Sequence, residues 1–390
     1  MRYVTAGEAH GQALYAVVDG VPAGLRISSQ DMDADLARRN NSYGRVVKSA
    51  GVADRVEILS GVRFGKTLGT PITLSIDNPG WRTWRNLVSA EGPKPDDKQR
   101  AVVPVLGHAD LVGMLKNNLD DVLDVSERAT SRETAARVAA SGIAREFLAE
   151  LGVDVTSHVY AIGSVHMRET DPMKEAVSYE PLAIEMSALR CPCEKTTRMM
   201  IKEIDEAQAQ KETLGGVFRI VVQGLLPGVG GYATGDDRIN SQLAAALFSL
   251  PGVCGVEFGQ GFKTAEMSGS QACDVIVHSS REGFKRATNT TGGIEGGMTT
   301  GMPLIITVAV RPATPSEMAC ESINMNTLNA QSPTAHKSDV CYVPSAAVIA
   351  EGDVAFVLAR AYMEKFGRDN MADISAAVAA YSQRLHALSR

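Results

Sequence analysis

The sequence ERATSRET at residues 127–134 runs directly into AARVAASGIAREFLAEL at residues 135–151. In the second part, apolar residues recur at spacings of three and four, which predicts a helix over residues 134–151 with one apolar face. The first part is polar and has two interpretations. Either Thr130 or Ser131 caps the helix while Glu133 is satisfied locally, or the free N–H groups and the helix dipole face an anion.

Elsewhere, short β-rich runs bounded by Gly and Pro favour strands. We predict strands at residues 56–59, 71–76, 217–222, 255–258 and 304–310. We predict further helices at residues 199–212, 241–249, 345–366 and 374–388. Because no linker divides this mixture of helices and strands, we expect a single α+β domain over residues 1–390.

The composition excludes several classes of protein. With 390 residues, 44% of them hydrophobic, the chain can bury a large core. A net charge of −6 argues against a nucleic-acid partner, so an anionic ligand must be held by local clusters of Arg and Lys. No apolar run approaches the ~18 residues needed to span a membrane, so we expect no membrane partner.

The cysteines indicate a reducing compartment. All six are scattered, no C-x-x-C spacing occurs, and we predict reduced thiols and no metal site. The N-terminus lacks the apolar stretch of a signal peptide, so we expect a cytoplasmic protein.

Reactive residues and glycines crowd together in a few segments. GEAHG at residues 7–11 and GHAD at residues 107–110 each place a histidine beside glycine, which suits an exposed imidazole or an incidental loop histidine. The run NTTGGIEGGM at residues 289–298 fits either a flat cofactor or phosphate, or a tight turn. The basic cluster at residues 38–48, which precedes the first predicted strand, forms either a solvated helix face or a pocket for several anions.

Taken together and in this order, these segments resemble the chorismate synthase family, especially its actinobacterial-type members. The matching stretches are GEAHG (7–11), RRNNSYGR (38–45), LSGVR (59–63), GKTLGTPI (65–72), VLGHADL (105–111), ERATSRET (127–134), VEFGQGF (256–262), GGIEGGMT (292–299) and SDVC (338–341). The resemblance runs nearly from end to end.

The resemblance implies a β-α-β sandwich of antiparallel sheets around central helices, usually assembled as a homotetramer. It implies a carbon–oxygen lyase that eliminates phosphate in an anti-1,4 manner from 5-enolpyruvylshikimate 3-phosphate, giving chorismate. The family reaction needs reduced FMN although no net redox change occurs. A small anionic phosphate of the shikimate type is therefore the expected partner.

The resemblance also assigns site residues. His10 matches the histidine that protonates the departing phosphate, His108 the one near the reduced flavin, and Asp339 the carboxylate that assists proton removal. The residues expected to bind the substrate are Arg39, Arg45, Lys48, Arg132 and Lys337. The residues expected to bind the cofactor are Arg128, Ala129, Thr130, Pro251, Gly252, Gly296, Arg311, Pro312, Ala313, Thr314, Pro315 and Lys337.

The chain departs from the family pattern at the site. A family serine is Ala9, a family Arg-Pro pair is Val105-Leu106, and a family arginine is Leu123. At the flavin we expect weaker FMN binding, because Pro315 lacks an N–H and Lys337 lacks the fork of an arginine.

The site has fewer cations than the family pattern, and burying a substrate carboxylate without a cationic partner costs free energy. Three hypotheses therefore remain open. The chain is an ordinary member with a tolerant site, or a paralogue that eliminates phosphate from a related compound such as shikimate 3-phosphate, or a catalytically silent binding protein. Because a silent protein has no reason to keep both histidines and the aspartate, their retention argues against the last.

Overall fold

The structure is a computed structural model that describes residues 1–45, 53–92, 100–279, 283–314, 321–333 and 339–388. In chain order the described strands are β1 (Arg2–Ala6), β2 (Ala13–Asp19), β3 (Glu57–Ile58), β4 (Val62–Arg63), β5 (Lys66–Thr67), β6 (Ile72–Asp77), β7 (Asp154–Ile162), β8 (Val165–His166), β9 (Gly216–Gln223), β10 (Val253–Phe258), β11 (Ile276–Ser279), β12 (Gly283–Arg286), β13 (Ile294–Glu295), β14 (Met298–Thr299), β15 (Leu304–Val310), β16 (Ser322–Ile323) and β17 (Ala330–Gln331).

The described α-helices are α1 (Ser29–Asn40), α2 (Trp81–Val88), α3 (Asp110–Asn117), α4 (Leu123–Ser126), α5 (Thr134–Glu150), α6 (Pro172–Ala176), α7 (Pro181–Met186), α8 (Glu194–Ala209), α9 (Ile239–Phe248), α10 (Gly269–Ala272), α11 (Val343–Phe366) and α12 (Met371–Leu388). Two 3₁₀ turns cover Ser131–Glu133 and Gly261–Glu266. No helix within the described ranges is long and apolar enough to cross a membrane.

Two antiparallel sheets form the outer layers. One has four strands in the order β1-β2-β6-β3, and the other has five in the order β10-β15-β9-β7-β8. Strand β2 alternates buried and exposed residues, so one face of its sheet turns to the core. The predicted α+β class is confirmed.

Two long helices fill the space between the sheets. Helix α5 packs on β2 and β6, helix α11 packs on β7 and β9, and the two helices pack on each other. Both are buried around most of their circumference, as expected for helices covered on every side. A Cβ at Gly352 of α11 would lie 2.7 Å from Cβ of Ser141 on α5, so only glycine permits this close approach. The expected sandwich around central helices is therefore confirmed.

A buried carboxylate ties these layers together. Glu351 of α11 is fully buried and accepts hydrogen bonds from Arg38 Nη2 at 2.7 Å, Arg145 Nη1 at 2.8 Å and Arg190 Nη2 at 2.9 Å. Ser157 Oγ donates at 2.6 Å to Oε1, the oxygen that also accepts from Arg190. Burial alone would raise the pKa of Glu351, but the three guanidinium groups lower it to about 2. The first arginine of the 38–48 cluster is thus a structural partner of α11.

Most of the predicted elements are present, with shifted ends. Strand β15 has the predicted bounds, whereas the helix predicted at residues 199–212 begins at Glu194. Placing the basic cluster before the first strand was wrong, because β1 and β2 precede it. One connected core runs from Leu14 to Ile374, which supports our proposal that residues 1–390 form one domain.

Candidate active site

The polar turn at residues 127–134, just before α5, is the centre of the site. Its first residue, Glu127, is buried and binds His10 twice: Oε1 lies 2.8 Å from Nδ1 of the ring, and Oε2 accepts from the backbone N–H at 2.8 Å. The carbonyl of Glu127 also accepts from Ala9 N at 2.8 Å. Residues separated by more than a hundred positions in sequence are thereby held as one unit.

A tryptophan covers one face of the same imidazole. The rings of His10 and Trp84 stack with centroids 3.9 Å apart and planes 14° from parallel. Trp84 belongs to α2, which begins shortly after Asn78. The Asn78 amide donates to the carbonyls of Glu8 at 3.1 Å and Gly11 at 2.9 Å, so it holds the loop that carries His10.

The second histidine contacts the middle of the turn. His108 is bonded through Nδ1 to the buried carboxylate of Asp110, and its ring lies close enough to the backbone of Ala129 for that backbone to help raise its pKa. Asp110 also accepts from Val105 N at 3.0 Å. The hydrogen bond to Asp110 raises the pKa of His108 above its ordinary value, although partial burial opposes the rise.

Replacing Asp110 with Asn should lower the pKa of His108, because the charge-assisted hydrogen bond is lost while the burial remains. An NMR titration of the imidazole protons measures this pKa in both proteins. His166 is exposed and lies at the end of β8, so its titration serves as the internal control. An unchanged pKa of His108 would contradict the contact with Asp110.

Arg39 lies buried against the end of the turn. Nε donates to Thr134 Oγ1 at 3.0 Å and Nη2 donates to the Ser131 carbonyl at 2.7 Å. Burial, and then the neighbouring Arg45, lower the pKa of Arg39 to about 10. Its hydrogen-bond acceptors within the described residues are neutral oxygens, so an anion arriving here would meet a cation that no carboxylate contacts directly.

Asp339 reaches the site through Arg45. Its Oδ2 lies 3.2 Å from Arg45 Nε, and Arg45 Nη1 donates to the Arg39 carbonyl at 3.0 Å. Both side chains of the ion pair are mostly buried. The described contacts therefore run from Asp339 through the two arginines to the turn.

Arg132 connects the turn to the loop of His10. Its Nε donates to Asn78 Oδ1 at 3.0 Å, and its Nη1 lies 2.7 Å and 2.8 Å from the carboxylate oxygens of Asp54. Burial would raise the pKa of Asp54, but Arg132 lowers it below the ordinary value. Through Asn78, the contacts of Arg132 lead to the loop that carries His10.

Several residues of the expected cofactor set meet beside His108. Arg311 Nη2 donates to the Gly107 carbonyl at 2.8 Å, Thr314 Oγ1 donates to the Leu106 carbonyl at 2.6 Å, and Arg311 N donates to Gly252 O at 2.9 Å. Pro251, Pro312 and Ala313 are the chain neighbours of these residues, and Ala313 O accepts from Thr213.

The other expected cofactor residues have separate surroundings. Arg128 is turned toward the first strand, where Nη1 donates to Gly7 O at 2.9 Å and Nη2 donates to Thr5 O at 2.9 Å. Thr130 caps the 3₁₀ turn and not α5, which follows Glu133 without a side-chain cap, so the predicted capping of the helix by Thr130 or Ser131 was wrong. Gly296 lies in the β13–β14 hairpin, whose described contacts run to residues 226–239 and to Arg286 and not to His108. Lys48, Pro315 and Lys337 lie outside the described residues.

Sequence reasoning missed the residues that hold the two histidines. Glu127 and Asp110 stand inside the family-like motifs, so a carboxylate near each histidine was available as a clue. Trp84, Asn78 and Asp54 lie outside those motifs, and their contacts could be found only in three dimensions.

The arrangement can move protons and bind anions, since it joins two partly exposed imidazoles to buried arginines.

Comparison with known proteins agrees with the family resemblance of the sequence. A sequence profile described as chorismate synthase matches residues 1–363. The chorismate synthase of Desulforudis audaxviator is 43% identical over 99% of this chain and 98% of its own length, and that of Mycobacteroides abscessus is 43% identical over 98% and 93%.

A solved structure also matches. A crystal structure of a chorismate synthase aligns with a TM-score of 0.81 and 34% identity, covering 99% of this chain and 98% of that one. The chain is therefore an enzyme of the carbon–oxygen lyase class that acts on phosphates. It belongs to the chorismate synthase family, whose members use reduced FMN.

Proposed function

We propose that the chain catalyses anti-1,4-elimination of phosphate from 5-enolpyruvylshikimate 3-phosphate to give chorismate. The observation that carries this proposal is the shared turn: His10 contacts Glu127, His108 contacts Ala129, and Arg39 contacts Ser131 and Thr134. A proton donor and a cation are thus both held by the polar turn that precedes the buried helix α5.

We assign the proton transfer to His10. With Nδ1–H directed to the Glu127 carboxylate, the doubly protonated ring carries its second proton on Nε2, and this is the proton that it can deliver to the departing phosphate oxygen, which leaves the neutral Nδ1–H ring. Arg39, Arg45 and Arg132, together with Lys48 and Lys337, are proposed to bind the anionic groups of the substrate. Asp339 is proposed to assist proton removal from the ring, since its carboxylate is held by Arg45.

The residues beside His108 fit a flat cofactor with a phosphate. Arg311 carries a cation there, and Gly252 has a φ of 87° with only Val310 near its open side, which leaves the backbone accessible. When bound, reduced FMN supplies reversible electron donation to the substrate. Pro251, Gly252 and residues 311–314 are proposed to hold it, with His108 against it. The family resemblance adds Arg128, Ala129, Thr130, Gly296, Pro315 and Lys337 to the proposed cofactor residues, although the described contacts of Arg128 and Gly296 lie elsewhere.

FMN should bind this chain more weakly than it binds the relative from Bacillus subtilis, which is 41% identical. Pro315 offers no backbone donor, and Lys337 replaces a forked guanidinium by a single ammonium. Fluorescence titration of both proteins with FMN measures the difference. Lys337→Arg should tighten binding severalfold, and equal affinity in the two wild-type proteins would contradict the proposal.

The test of the proposed function is release of phosphate from each candidate substrate in the presence of reduced FMN. We expect 5-enolpyruvylshikimate 3-phosphate to react with formation of chorismate. Preference for shikimate 3-phosphate would favour a paralogue, and no release from either would favour a binding protein; the comparisons give neither alternative support. Leu106 is 41% exposed where the family pattern has an Arg-Pro pair, so this is the place where a substrate preference would arise.

We also propose a homotetramer in the cytoplasm. The outer face of the four-stranded sheet exposes Val4, Val17 and Tyr15 by 69%, 41% and 36%, and Val4 pairs with Val17 across the strands. Contiguous apolar surface of this kind marks interfaces between chains. Among the described cysteines, all five are free thiols, in keeping with a reducing compartment.

A further inference from the structure

We propose that Glu127 is the positioning residue of His10, fixing its tautomer and ring orientation, and that Trp84 holds the ring from one face. This inference rests on the proposed function of His10 as the proton donor. It adds two residues to which neither the motifs nor the comparisons assign a role.

Both oxygens of the Glu127 carboxylate bind His10. The backbone N–H of His10 and Nδ1 of its ring both lie 2.8 Å from it, one at each oxygen. An ionised carboxylate only accepts hydrogen bonds, so the ring must carry its proton on Nδ1. The backbone contact fixes the start of the side chain and the ring contact fixes its end, which leaves one orientation for the imidazole.

Trp84 restricts the ring in the remaining direction. The nearly parallel indole, with its centroid 3.9 Å away, covers one face of the imidazole, so the ring cannot turn about its last bond without losing the stack. Helix α2, which carries Trp84, is linked through Asn78 to the carbonyls on both sides of His10. The Nε2 edge, away from Glu127, is therefore the edge available to a substrate.

The exposed fractions of the two side chains distinguish the contact between Glu127 and His10 from an incidental contact on the surface. The side chain of Glu127 is 8% exposed and that of His10 is 36% exposed. The carboxylate is enclosed, and the imidazole keeps an open side. An enclosed acceptor that orients a partly open imidazole is the arrangement expected for a positioning residue.

The first test is nitrogen-15 NMR of the imidazoles in the full-length protein, which reports the tautomer without any substrate. His10 is assigned by loss of its signals in His10→Asn. We expect the neutral form of wild-type His10 to carry its proton on Nδ1, and the neutral form in Glu127→Gln to lose that preference. A glutamine offers one acceptor and one NH₂ group, so one of the two N–H groups of His10 must face a donor. A wild-type ring protonated on Nε2 alone would overturn the proposal, and this outcome does not depend on the folding of Glu127→Gln.

The second test is kinetic. Glu127→Gln should lower kcat about 10- to 100-fold with KM changed less than about twofold, because a misoriented donor weakens proton transfer and not substrate binding. Trp84→Phe, which keeps a stacking ring, should retain most of kcat, whereas Trp84→Ala should lose about threefold or more. Asp154→Asn serves as control, since this carboxylate is exposed at the start of β7, which follows the end of α5 opposite to the polar turn.

The outcomes separate this inference from the proposed function. If the wild-type protein released no phosphate, the proposed function would be wrong. The tautomer of His10 would still show whether Glu127 positions its ring. An unchanged kcat in a folded Glu127→Gln protein, or a fall in kcat matched by an equal rise in KM, would overturn the positioning role. A changed tautomer together with a fall in kcat alone would support it.

Discussion

Replacing His10 with Asn should lower kcat for phosphate release by about 10²–10⁴-fold, the contribution typical of a positioned general acid. An asparagine amide can still donate to Glu127, so the loop should keep its shape, but it cannot deliver a proton to the leaving oxygen. Steady-state assays with 5-enolpyruvylshikimate 3-phosphate and reduced FMN measure the loss.

The matched control is His166→Asn, since that histidine is exposed at the end of β8. Its kcat should equal that of the wild type. If His10→Asn kept wild-type kcat, another group would have to protonate the phosphate, and the role assigned to His10 would be wrong.

Replacing Glu351 with Gln should destabilise the fold by about 3–5 kcal/mol at pH 7, because Arg38, Arg145 and Arg190 would be left around a neutral group in the core. Chemical denaturation of the two proteins measures the difference in the free energy of unfolding. Glu364→Gln is the control on the same helix, because that side chain is 63% exposed and its pair with Arg360 is long, at 3.9 Å.

The effect of Glu351 should depend on pH in one direction. Its pKa is about 2 in the folded protein and 4.5 ordinarily, so the folded state binds fewer protons than the unfolded state between these values. The stability from ionised Glu351 is fully present above about pH 4.5 and is lost as the pH falls toward 2. The gap between wild type and Glu351→Gln should therefore narrow in acid, and a gap that widened there would contradict the assignment.

The sequence allowed the central helices and much of the five-stranded sheet to be predicted, because their patterns are local. Helix α5 shows its period over residues 134–150, and β15 is an uninterrupted apolar run. The first two strands, which flank a glycine-bounded loop, were missed, although β2 has seven residues, as many as β15, and alternates buried and exposed residues.

The site was predictable only through motifs shared with the family. His10 and His108 carry no local pattern that names a partner, and the contact of His10 with Glu127 joins positions 117 residues apart. The two neighbouring arginines show the same limit. Arg38 and Arg39 are adjacent in sequence, yet one binds Glu351 in the core and the other binds the polar turn. Only packing in three dimensions distinguishes them.

The attachment of the polar turn to α5 has a consequence for how activity is acquired during folding. The partners of that turn come from the first loop, from α1 and, through Arg45, from Asp339 near the other end of the chain. Such a site has high contact order, so its residues meet late, after the loop-closure entropy of nearly the whole polypeptide has been overcome. Recovery of catalysis after dilution from denaturant should therefore lag behind the return of helical circular dichroism and coincide with docking of α11 between the sheets.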